Sequence, residues 1–201
     1  MDRLLAGYRR FRTEVWPAER GHYETLATEG QRPETLVVSC SDSRVDPQTV
    51  FGQGPGDLFV IRNVAGLVPP YQPDPGYHGT SAGLEFGVRV LKVGRVVVLG
   101  HSQCGGVRAM VEGAPLEARD FVQPWMEIAE HVLGAAIPRD SDDPLRHYEE
   151  AVVRLSVANL LTFPWIAEAA AAGRLAVGGF IFDIPTGVLT RLDGDRFVPV
   201  E

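Results

Sequence analysis

Cysteine is scarce in this chain: two residues among 201. A fold stapled by several disulfides is therefore excluded, and a single bridge is disfavoured because nothing in the chain looks secretory. The first residues carry Asp2, Arg3, Arg9 and Arg10, where a secretory leader needs an apolar run. No segment approaches the roughly 18 consecutive apolar residues of a membrane-spanning helix. Long basic blocks are also missing, and the net charge is −7. Nucleic acid and membrane are thus not expected as partners. A reducing, cytoplasmic setting is the expectation, and it leaves both thiols free.

What is present is concentrated in two short stretches. One is Cys40-Ser41-Asp42-Ser43-Arg44, the other His101-Ser102-Gln103-Cys104-Gly105-Gly106. Each holds one of the two cysteines, and each follows an aliphatic, β-branched run, at residues 35–38 and 95–99. Hydrophobic residues make up 45% of the chain, enough for one well-buried core.

Leu4, Tyr8, Phe11 and Val15 recur at spacings of four, three and four, which predicts one apolar face of an N-terminal helix. Pro17 ends that helix or starts the next segment. We expect residues 1–30 to form a helical arm, packed on the main domain or on another subunit. Residues 31–201 would then form a zinc-binding α/β catalytic domain. Strands are expected at 35–40, 58–62, 95–99 and 175–183. A hairpin is expected around Asp193-Gly194, with strands at 187–192 and 197–200. A helix capped by Thr80 or Ser81 should turn Leu84, Val88 and Leu91 inward. Another helix should open at residues 105–112, and 121–172 should be mostly helical, broken near Pro138, Pro144 and Pro164. Gly173 suits a helix C-terminal cap. Strands alternating with helices imply α/β architecture: a mainly parallel central β-sheet flanked by helices. Ligands in such sheets sit beyond the carboxyl ends of the strands, where Cys40 and His101 fall.

Two thiols and an imidazole form a soft donor set suited to one Zn²⁺ per chain. Cys40, His101 and Cys104 are the expected ligands. Three protein ligands leave a fourth position for a water that the metal acidifies, the pattern of catalytic zinc. Thiolates donate more charge than imidazoles, so activity should rise on the alkaline side. The alternatives are a closed four-ligand zinc, for which His22, His78, His131 and His147 are the only further histidines, or two ordinary buried cysteines.

In an extended chain Asp42 and Arg44 would point to one side. They could form a simple loop salt bridge. They could also form a gate, in which Arg44 holds Asp42 away from the zinc that it could otherwise ligate as a fourth, inactivating donor. Gly105 and Gly106 suit a tight turn, and their N–H groups could face a developing anion. The glycines of residues 52–56 precede a strand rather than linking strand to helix, so a dinucleotide loop is rejected.

With these motifs in this order, the chain resembles the β-class carbonic anhydrases, in particular their plant-like branch. The segments Gly56-Asp57-Leu58-Phe59-Val60-Ile61-Arg62-Asn63, Ser81-Ala82-Gly83-Leu84-Glu85-Phe86 and Phe182-Asp183-Ile184-Pro185-Thr186-Gly187 resemble further family elements. The resemblance implies reversible hydration of carbon dioxide to bicarbonate and a proton by a zinc-bound hydroxide, with Asp42 and Arg44 as the family's catalytic pair. It implies a substrate pocket of Gln31, Phe59, Val64, Phe86 and Gly105. It also implies a homodimer or higher even-numbered homo-oligomer, with Gln31, Phe59 and Phe86 supplied by a second subunit. Phe86 stands where plant-like relatives carry tyrosine, so a hydroxyl is lost. Two alternatives accompany this reading: hydrolysis of carbon disulfide or carbonyl sulfide on the same fold, and a non-catalytic zinc or redox-sensing protein.

Overall fold

The computed structural model describes residues 1–134 and 143–201, so the break expected near Pro138 lies outside the described residues. Helices α1 (Asp2–Arg10) and α2 (Trp16–Glu29) run on from one another through a single widened turn at Phe11–Val15. That turn lies just before Pro17, whose ring nitrogen can close no helical hydrogen bond. Gly30, at φ 79, ends the arm. Phe11 packs on Trp16 and Tyr23, with ring centroids 6.1 and 6.2 Å away. The rest of the expected apolar face is open: Leu4 is 74% exposed, Tyr8 60% and Val15 46%.

The core of the chain is a six-stranded sheet: β1 (Thr35–Cys40), β2 (Leu58–Asn63), β3 (Arg95–His101), β4 (Ala176–Phe182), β5 (Leu189–Asp193) and β6 (Arg196–Pro199). The spatial order is β2-β1-β3-β4-β5-β6. The first four strands are parallel, and β5 and β6 are antiparallel additions at one edge. The central strands are covered on both faces, which is why they read as unbroken aliphatic runs. Leu36, Val38, Val96 and Val98 enter one cluster, and Val37 and Leu99 another.

Helix α3 (Pro47–Phe51), which residue pattern alone does not predict, is capped by Asp46, whose Oδ2 accepts from Thr49 N and Oγ1 at 3.0 and 2.9 Å. Helix α4 (Gly79–Glu85) starts without a side-chain cap. The expected capping role of Thr80 and Ser81 is therefore corrected. Thr80 already lies inside the first turn, and its Oγ1 accepts instead from Asn63 Nδ2 at 3.1 Å. Leu84 is fully buried as expected, with Val88 and Leu91 packed beside it.

Helices α5 (Gly105–Glu112) and α6 (Val122–Glu127) follow β3. The breaks expected near Pro144 and Pro164 are present: each proline opens a new helix, α7 (Pro144–Leu160) and α8 (Pro164–Ala171), where a missing N–H costs nothing. Gly173 is left-handed at φ 67, as a helix terminator should be. The hairpin turn is shifted by one residue from the expectation. Asp193 pairs with Arg196, so Gly194 and Asp195 form the loop, and Gly194 supplies φ 57.

Helix α7 lies against β3 and β4 because two strand positions lack side chains. A Cβ at Gly100 would lie 2.5 Å from Val153, and one at Gly179 would lie 2.8 Å from it. This close approach places the first turns of α7 beside the carboxyl ends of β1 and β3.

Candidate metal centre and active site

Cys40 is the last residue of β1 and His101 the last of β3, and these strands are parallel neighbours. Their ends therefore meet at one rim of the sheet. Cys104 follows after a reversal through Gln103, which holds φ 57, and serves as the N-cap of α5. Sequence positions far apart thus converge: the ligand atoms of Cys40, His101 and Cys104 lie within 4.8 Å of one another, and all three residues are buried.

The donor set fits zinc. The two sulfurs are 4.0 Å apart. Two sulfurs at ordinary zinc bond lengths in a tetrahedron would be about 3.8 Å apart. His101 Nδ1 donates to the Ser102 carbonyl at 2.9 Å, which fixes the ring and leaves Nε2 as the free lone pair. That Nε2 is buried and has no hydrogen-bond partner. A buried ring nitrogen without a partner is costly, and a metal would satisfy it.

The electrostatics match. The Cys104 thiol, hydrogen-bonded to Cys40, draws Cys40 down to about 4 against the opposing effect of burial. Cys104 is pushed up by the same bond and by burial, while the N–H groups of Gly106 and Val107 pull its sulfur down. Burial pulls His101 down, but the nearby Cys40 sulfur and the Ser102 carbonyl outweigh that, and the net direction is up.

Asp42 and Arg44 meet, though not in the extended chain that their spacing suggested. Residues 43 and 44 form a turn. Asp42 Oδ1 accepts from the Arg44 backbone N at 2.9 Å and from Nε at 3.0 Å, while Oδ2 accepts from Nη2 at 2.7 Å. A short aspartate side chain bonding the backbone two residues on is a local turn device, and here it also orients the guanidinium. The Arg44 contacts hold the Asp42 carboxyl far below the usual carboxylate range. Asp42 Oδ2 stands 3.8 Å from His101 Nε2, so this clamped carboxylate borders the metal position. Arg44 Nη2 also donates to the Gln103 carbonyl at 3.0 Å, tying the first motif to the second.

Of the expected pocket residues, only some reach this rim. Val64 follows β2 directly, and its carbonyl accepts from Trp125 Nε1 at 2.9 Å. Val64 explains Gly106: a Cβ there would lie 2.8 Å from Val64 Cγ1 and 3.0 Å from Ala65 Cβ. Neither Gly105 nor Gly106 has a left-handed backbone; Gln103 and Ala65 carry that conformation instead. The turn role expected for the two glycines is corrected accordingly. Gly106 is needed for close packing, and a Cβ on Gly105 would meet open space. Phe59 lies elsewhere. It pairs in register with Leu36, whereas Asn63 pairs with Cys40. Four residues of strand, about 13 Å, separate the two positions. Phe86 stacks on Phe59 with centroids 5.9 Å apart, and Gln31 is exposed ahead of β1 at that same far end. Within one chain these three residues are not brought to the metal group.

Two supporting residues have roles that the sequence does not announce. Arg62 spends its guanidinium on the main-chain carbonyls of Cys40, Asp42 and Val45 at 3.0, 2.6 and 2.8 Å. Glu149 on α7 accepts the Cys104 N–H at 2.9 Å. Its only sequence signal is a carboxylate on a stripe otherwise made of Tyr148, Val152, Val153 and Ser156.

Comparison with known proteins agrees with this geometry. A family model described as carbonic anhydrase matches residues 35–189. A carbonic anhydrase of Pseudomonas aeruginosa is 40% identical, covering 98% of this chain and 91% of the relative. Carbonic anhydrase 1 of Escherichia coli O157:H7 is 38% identical, covering 100% and 92%. Among solved structures, the β-carbonic anhydrase CcaA superposes with a TM-score of 0.91 at 30% identity, covering 100% of this chain and 99% of its own. One of two tetrameric β-carbonic anhydrases from Sordaria macrospora gives a TM-score of 0.73 at 29% identity, covering 100% and 95%. Fold, clustered donors and relatives agree, and the chain belongs to the β-class carbonic anhydrases.

Proposed function

We propose that the chain hydrates carbon dioxide reversibly to bicarbonate and a proton, using one zinc held by Cys40, His101 and Cys104. The observation that carries this is the buried, unpartnered His101 Nε2 beside two sulfurs, with a clamped carboxylate next to them. Zinc, when bound, supplies an acidified water as nucleophile.

The chain's own residues do the rest. Asp42, kept ionised by Arg44, accepts a hydrogen bond from the attacking water and aims its lone pair. Arg44, by occupying both carboxylate oxygens, keeps Asp42 from taking the open position itself. Carbon dioxide has no net dipole, so it is held by fit, with Val64 as part of the wall. Negative charge develops on its oxygens only as the new bond forms. The Gly105 N–H and the Gln31 side chain are suited to meet that charge, stabilising the transition state more than the substrate.

Gln31, Phe59 and Phe86 act from a second subunit in this reading. Their distance from the metal group of their own chain supports that, and so does the uncovered apolar face of the arm at Leu4, Tyr8 and Val15. The functional unit is then a homodimer or a larger even-numbered assembly. The arm, residues 1–30, covers the partner, and residues 31–201 carry the chemistry. The working compartment is a reducing cytoplasm, where both thiols stay available. Phe86 keeps the apolar wall of the plant-like branch without its hydroxyl.

Metal analysis and stopped-flow hydration assays on the purified protein test the proposal. It predicts zinc at one per chain and turnover that rises toward alkaline pH. Zinc-loaded protein inert toward carbon dioxide but active on carbonyl sulfide would replace it with the sulfur-substrate reading.

A further inference from the structure

Among the described residues, Glu149 is an unusual charge. It is 3% exposed, and among the described residues no cation lies within ion-pairing distance of it; Arg146 acts on it only from farther away. Oε1 accepts the Cys104 N–H, and Oε2 has no partner. Burying a carboxylate is costly, and helix packing gives no reason for it, since its neighbours Tyr148, Val152 and Val153 are apolar. The one contact that justifies it is a single backbone amide.

That amide belongs to a special peptide. The Cys104 N–H and the Gln103 carbonyl are two ends of the same planar unit. The carbonyl end is held by Arg44 Nη2 at 3.0 Å, and the N–H end by Glu149 at 2.9 Å. Gln103, on one side of this peptide, is left-handed at φ 57 without being glycine. Such a conformation is held only where surrounding contacts impose it. Cys104, on the other side, is the N-cap of α5, and its sulfur faces the N–H groups of Gly106 and Val107. Both polar ends of the peptide would therefore lie unsupported without these two side chains.

We infer that Glu149 is a positioning residue: with Arg44 it clamps the Gln103–Cys104 peptide from both ends and so sets the Cys104 sulfur for the metal. The catalytic pair and the metal ligand are thereby coupled through one peptide plane. Support of this kind, behind a ligand, commonly changes metal affinity by about 10–100-fold when removed.

The inference rests on the zinc reading above. The test compares wild type, E149Q and E149M by chelator competition for zinc. It adds the sulfur-to-metal charge-transfer bands of the cobalt-substituted forms and the melting of the metal-free proteins. Gln keeps an acceptor oxygen at the same place, whereas Met keeps the volume and removes the acceptor. The expected result is an E149M affinity lowered about 10–100-fold with altered cobalt bands, and E149Q within about threefold of wild type. A role in packing alone would lower the melting temperature of the metal-free protein and leave zinc affinity unmoved. That outcome in E149M overturns the inference. Should E149M not fold, E149L takes its place on the same terms: a loss of about tenfold or more in zinc affinity supports the clamp, and unmoved affinity overturns it. Wild-type protein that takes up no zinc would instead defeat the underlying metal reading.

Discussion

The two ends of the parallel sheet differ in how complete they are. At the carboxyl end, one chain assembles everything the metal needs: three donors, a clamped carboxylate, and carbonyls and amides held by Arg62, Arg44 and Glu149. At the amino end, Phe59 and Phe86 stack on each other with nothing to act on, Gln31 stands exposed ahead of β1, and Phe86 is 44% exposed. In the proposed reading, the metal half of the site is a product of folding, and the substrate half becomes one only through assembly. Substitutions at the two ends should therefore fail in different ways.

The largest effect is expected at the complete end. His101→Ala or Cys104→Ser should leave purified protein without stoichiometric zinc and lower hydration by a factor on the order of 10³ or more. Elemental analysis and stopped-flow assay check this, and a His101→Ala protein with full zinc would break the assignment. Next is Asp42→Ala, which should retain zinc while turnover falls about 10²–10⁴-fold. Wild-type turnover there would reduce the Asp42–Arg44 pair to a loop salt bridge. At the other end, Phe86→Ala should keep zinc and fold while lowering kcat/KM by about tenfold, through lost fit to a small apolar substrate. Smallest in activity is a pair of glycine substitutions. Gly106→Ala should cost about 1–3 kcal/mol in denaturant unfolding because Val64 and Ala65 have no room to yield, while Gly105→Ala should cost well under that.

Much of the complete end was legible in the residues. Aliphatic runs ending in Cys40 and near His101 imply parallel strands whose ends converge, and the scarcity of cysteine makes each remaining one informative. The supporting contacts were not legible. The bonds of Arg62 and Glu149 go to main-chain atoms 17 to 45 positions away, and no residue pattern encodes such partners. Spacing also misled locally. Asp42 and Arg44 pair through a turn, and the strain at the second motif falls on Gln103 rather than on its glycines. The apolar face of the arm was visible as a period, but a period does not say what covers it.

Mixed dimers offer the sharpest measurement. His101→Ala chains lack the metal half, and chains with Gln31→Ala, Phe59→Ala and Phe86→Ala lack the substrate half. Each is expected to be nearly inactive alone. If every site is shared between two chains, dissociating and reassociating an equal mixture should restore about a quarter of the wild-type sites, because one site in each mixed dimer receives both intact halves. A mixture no more active than its parents, with mixed dimers shown to form, would contradict the shared site and place the whole reaction within one chain.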